Sequence, residues 1–218
     1  SCMASCMAVT GSAQSLVVDT ISARQPWSPF ELYTFPHLGM AGHRDVAERI
    51  NRDLVIDLLE VDPDTLEGIL FQNVWGDPAQ GPMPRLSSVT WSYARPLAHV
   101  LCFAFSAEAC GAYCEGSTVH RTYDLHNGQR LEFDSLFTAV GLAVVNDTLG
   151  KRWRRIIEAE IHELSNSLEG PGNASAEREV VEGALDLYRD CLGDRSLALP
   201  YVVDFELCST RLRVHIAR

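Results

Sequence analysis

At 218 residues and 46% apolar content, the chain can bury a full core, either as one large domain or as two small ones. A formal charge of −11 argues against nucleic-acid binding, which needs a basic face; it either favours a cationic partner or serves solubility alone, the commoner role of an acidic surface. No run reaches the roughly 18 apolar residues of a membrane helix, and seven cysteines are too few for a disulfide scaffold at this length, so the core must carry most of the stability.

Residues 1–13 contain a duplicated Ser-Cys-Met-Ala tetrad and read as a tag or signal remnant. Residues 16–21 and 30–35 read as strands, followed by a loop over 36–42 with Pro36, Gly39 and Gly42. An amphipathic helix is predicted from Arg44 to Leu59, with Val46, Ala47, Ile50, Leu54 and Leu58 at helical spacing and Arg44, Glu48, Arg49, Arg52 and Asp53 outside. Asp62-Pro63 has the chemistry of a helix start, with Asp62 as N-cap, for a short helix carrying Leu66, Ile69, Leu70 and Phe71.

The stretch 76–84 is rich in proline and glycine and marks the expected boundary between sub-domains 14–76 and 85–218. Val89, Trp91 and Tyr93 then share one strand face, and 97–105 is apolar on both faces, as a central strand should be. A loop holding Cys110 and Cys114 leads into an alternating strand through Val119, Arg121, Tyr123 and Leu125. Asn127-Gly128 signals a hairpin turn back through Leu131 and Phe133. Residues 139–168 read as helix in two pieces near Gly150, with Trp153, Ile156, Ile157, Ile161 and Leu164 inward. A further helix over 176–192 uses Val180, Val181, Leu185 and Tyr188, and strands 200–207 and 212–216 close the chain. The pattern is α+β: a mixed or antiparallel sheet packed against several helices, without a βαβ rhythm.

Little of this carries chemistry. Cys110 and Cys114 flank Gly111-Ala112-Tyr113 and, in an oxidising compartment, either close a small ring or remain two thiols. Cys191 and Cys208 are free to pair across a helix and a strand, while Cys102 reads as a small buried hydrophobe. His120, Asp124 and His126 stand at even spacing on one strand face, which is either a weak metal or acid–base candidate or a polar solvent face. His162-Glu163 lacks the second histidine of a metalloprotease helix, and there is no nucleophile elbow or phosphate-cradling glycine loop. No catalytic centre, metal or cofactor is expected.

With these elements placed, the chain resembles the paired extracytoplasmic module of lysozyme-sensing RsiV-type anti-sigma factors, found also as the non-catalytic part of PdaC-type peptidoglycan deacetylases. The resemblance runs over about residues 28 to 217. In the first half it rests on Leu32-Tyr33-Thr34-Phe35-Pro36-His37-Leu38-Gly39 and Arg49-Ile50-Asn51. In the second it rests on Phe103-Ala104-Phe105, Gly111-Ala112, Tyr123-Asp124-Leu125, Gly128 and Asp134-Ser135-Leu136-Phe137. The family loop carries a histidine after Gly-Ala, where this chain has Tyr113-Cys114. The resemblance implies a periplasmic or other extracytoplasmic protein, free or tethered through an anchor outside this sequence. It would bind a basic lysozyme-like hydrolase, a secreted toxin or peptidoglycan, as sensor, inhibitor or immunity protein. Two other readings stay open: a metal-dependent enzyme acting on cell-wall glycans, with His120, Asp124 and His126 holding the metal, and a structural module of the envelope. Gly111, Ala112, Tyr113 and Glu115 are the expected contact residues, since a rigid aromatic on a pinned loop loses little entropy on binding.

Overall fold

The computed structural model describes residues 15–25, 28–75, 88–110, 114–169, 175–193 and 202–216. The chain forms two compact units, residues 1–131 with Leu207–Ser209, and 132–206 with Thr210–Arg218. The boundary therefore falls beside Leu131 and not in the stretch 76–84, which lies outside the described residues. The physical reason is a shared sheet: the strands on either side of that stretch pair in one layer over one core.

In the first unit, β1 (Leu16–Gln25), β2 (Ser28–Met40), β3 (Ser88–Leu97), β4 (Val100–Cys110) and β5 (Cys114–Asp124) stand in the order β1-β2-β3-β4-β5. All neighbours are antiparallel except β2 and β3, which run parallel and, among the described residues, pair at Tyr33↔Val89. The sheet is thus mixed, as the pattern of elements implied. The expected loop at 36–42 is instead strand as far as Met40. Pro36 is tolerated because β2 pairs with β1 along its length, while among the described residues it meets β3 at Tyr33↔Val89 and not beside Pro36, so there the missing N–H interrupts no second ladder.

Helix α1 (Arg44–Leu59) forms where its apolar spacing predicts, and buries Val46, Ala47, Ile50, Leu54, Val55 and Leu59. These pack with Tyr33, Phe35, Leu38, Phe103, Phe105, Tyr123 and Leu125 in one core. Each fully buried side chain of this size contributes about 1.5–3 kcal/mol. The short helix expected after Asp62 starts later, as α2 (Gln72–Trp75). Asp62 Oδ1 accepts from the Asp64 backbone N–H at 3.1 Å, a turn rather than a helix cap. Phe71 and Trp75 stack at 6.1 Å and both contact Tyr33, whereas Ile69 stays exposed.

In the second unit, a 3₁₀ turn (Phe133–Leu136) leads into α3 (Ala139–Glu169), which packs on α4 (Ser175–Gly193). Strands β6 (Val202–Leu207) and β7 (Leu212–Ile216) form a two-stranded sheet. Phe133 rests against Phe137 and Phe205, at 5.3 and 6.0 Å between ring centres. Helix α3 is one piece. A helical glycine costs only about 1 kcal/mol relative to alanine, a small penalty within the 31-residue helix that holds Gly150. Ile157 and Leu185 are buried as expected, but Ile156 and Val180 face outward.

Candidate functional site

Strands β4 and β5 form an unbroken hairpin from Val100↔Asp124 at its foot to Cys110↔Cys114 at its tip. The two cysteines are thus direct backbone partners at the strand ends, closer in role than two members of one loop. Opposed strand residues have Cα atoms about 4.5–5.5 Å apart, inside the range a disulfide spans. Gly111, Ala112 and Tyr113 lie outside the described residues, as do the side chains of Cys110, Cys114 and Glu115. Since β5 ends the sheet, the hairpin is its outermost feature.

At the foot, Asp124 and His126 come together but His120 does not join them. Strand rise of about 3.3 Å per residue places His120 some 13 Å along β5 from Asp124. Asp124 Oδ1 accepts from the His126 backbone N–H at 2.9 Å and lies 2.8 Å from His126 Nδ1. Burial works to raise the Asp124 carboxyl, but the His126 hydrogen bonds and the nearby His99 outweigh it and hold the carboxyl below its ordinary value. The ring facing His126 is His99, with centres 5.0 Å apart and planes 34° from parallel. The chain reverses through 125–129, with Gly128 at φ 71° and Asp124 N–H donating to Gln129 O at 2.9 Å. The return is a single bridge, Tyr123↔Arg130, and not the continuing strand expected through Phe133.

The polar face of β5 is not simply solvated either. Thr122 is buried, and its hydroxyl donates to Cys102 Sγ at 3.5 Å. Cys102 is a buried free thiol whose Sγ lies 3.5 Å from Leu207 O. Cys191 and Cys208, which the sequence leaves free to pair, are both free thiols.

A polar cluster that sequence reading missed locks the hairpin to α1. Tyr123 donates its hydroxyl to Asp53 Oδ2 at 2.7 Å. Asp57 accepts from Arg121 Nε at 2.6 Å and from an Arg130 terminal nitrogen at 2.8 Å. Burial would raise the Asp57 carboxyl, yet the two arginines prevail and hold it below the ordinary carboxylate range. Burial, reinforced by Asp53, pushes the Tyr123 phenol above its usual value. The signal was present in the sequence: Asp53 and Asp57 sit at i and i+4, where like charges repel unless cations from elsewhere separate them.

No family model matches this sequence, and no curated protein matches it. Among solved structures, it is similar to a DUF3298 family protein from Pseudomonas aeruginosa PAO1. That likeness has a TM-score of 0.37 at 11% identity and covers 69% of this chain and 72% of that one.

Proposed function

We propose that this chain is a non-catalytic, extracytoplasmic binding module whose partner is a basic lysozyme-like cell-wall hydrolase, gripped by the tip of the β4–β5 hairpin. The observation that carries the reading is the Cys110↔Cys114 register. A disulfide between these directly opposed strand ends would close a short ring around Tyr113 and leave the aromatic little conformational entropy to lose on binding. The Tyr123–Asp53 and Arg121–Asp57 contacts brace the same hairpin from behind. A charge of −11 would draw a basic partner by long-range attraction.

Calorimetric titration against a basic muramidase at low and high salt tests this. The expected result is a one-to-one complex that weakens as salt rises. Loss of muramidase activity in the complex marks an inhibitor or immunity protein, and retained activity marks a sensor. Absence of binding to several such enzymes, with retention on isolated peptidoglycan, replaces the protein partner by the glycan.

A further inference from the structure

We propose that His99 and His126 hold a divalent transition-metal ion at the foot of the β4–β5 hairpin, with Asp124 orienting the His126 ring from behind. A carboxylate has no hydrogen to give, so in the 2.8 Å contact His126 Nδ1 is the donor and Asp124 Oδ1 the acceptor. That assignment leaves the lone pair on Nε2, on the far side of the ring, free to bind a metal. Carboxylate, imidazole and metal in line is the usual arrangement around ligating histidines, because the carboxylate fixes the tautomer and raises ligand basicity. The second bond from Asp124, to the His126 backbone N–H at 2.9 Å, holds main chain and ring together.

The second ligand comes from the opposite turn. The His99 carbonyl accepts from the Leu125 N–H at 2.7 Å, which ties the β3–β4 turn to the end of β5. It also brings the two rings to 5.0 Å between centres. With metal–nitrogen bonds of about 2.1 Å, two imidazoles bound side by side to one ion have ring centres roughly 5 Å apart. Both rings are exposed, so water can complete the coordination and the ion has an open path. Arg95 donates to the Ala98 carbonyl beside His99, a cation that limits affinity. The donor set, two imidazoles and water, suits Ni2+, Cu2+ or Zn2+ better than Ca2+ or Mg2+. This site is not the one that strand spacing alone suggests: His99 takes the place of His120.

Titration of the chelator-stripped protein with NiCl2 and with ZnCl2, followed by calorimetry, tests the site. The wild type is expected to show saturable binding that His126→Ala and His99→Ala each weaken at least tenfold. Asp124→Asn, which leaves both ligands in place, is expected to weaken it by about tenfold. Because both ligand rings are exposed, the alanine variants should fold, and unchanged circular dichroism checks that. No saturable binding, or equal binding by wild type and either ligand variant, overturns the proposal.

Discussion

The Asn51 carboxamide brackets the backbone of Leu38: its Oδ1 accepts from the Leu38 N–H at 2.8 Å and its Nδ2 donates to the Leu38 carbonyl at 3.0 Å. One helical side chain therefore does at Leu38 what a neighbouring strand does elsewhere, on a strand that among the described residues pairs with β3 at Tyr33↔Val89. Both groups belong to a half-buried region, where an unpaired backbone polar group costs about 1–3 kcal/mol. Asn51→Ala is expected to lower unfolding stability by that amount in urea melts. Asn51→Asp, which sets a carboxylate against the Leu38 carbonyl, should lower it further. Equal stability of all three proteins would remove the bracket from the account.

Gly128 and Gly183 make a contrasting pair. Gly128 adopts φ 71°, and a Cβ there would meet the Val46 carbonyl oxygen at 2.8 Å, a backbone atom that cannot swing aside. Gly128→Ala should therefore destabilise by about 1–3 kcal/mol. Gly183 lies in α4, and a Cβ there meets nothing within 4 Å, so Gly183→Ala should stabilise by about 0.5–1 kcal/mol. Thermal melts of the two variants should move in opposite directions.

Asp57 links two arginines of the hairpin side to α1. Its folded carboxyl sits below the unfolded value, so its stabilisation is present above about pH 4 and is lost as pH falls through the folded value. Asp57→Asn should cost about 1.5–3 kcal/mol at pH 7, as expected for hydrogen bonds to charged groups. Near pH 2 the difference from wild type should shrink. Urea melts at the two pH values check both parts. Tyr123→Phe, which removes the donor to Asp53, should cost roughly 1 kcal/mol at neutral pH.

Much of the first unit is legible in the sequence because its signals are local. The i, i+3, i+4 spacing from Val46 to Leu59 predicts α1, and the alternation around Arg121 and Tyr123 predicts β5. What is not legible depends on distant partners. Pro36 and Gly39 carry turn chemistry, yet the long pairing of β2 with β1 keeps them in a strand. The proline-rich stretch looks like a boundary, yet Tyr33↔Val89 joins the strands on both sides of it. The even spacing of His120, Asp124 and His126 suggests one site, whereas His99, close to His126 only through the hairpin fold, supplies the second ring.

The hairpin tip makes a chemical prediction. Alkylation of the unreduced, denatured protein should label Cys102, Cys191 and Cys208, which are free thiols, and should leave Cys110 and Cys114 unlabelled until reductant is added. Labelling of Cys110 and Cys114 without reductant would mean that the two are not bridged, and would remove the covalent ring on which the proposed role of Tyr113 depends.

The central claim is that the pinned tip grips a basic partner. The most direct measurement is the dissociation constant of the complex with a basic muramidase for wild type and Tyr113→Ala, side by side in low salt. The account predicts a measurable complex that the substitution weakens at least tenfold, as for an aromatic anchor at the centre of an interface. No complex with the wild type, or the same constant for both proteins, would contradict it.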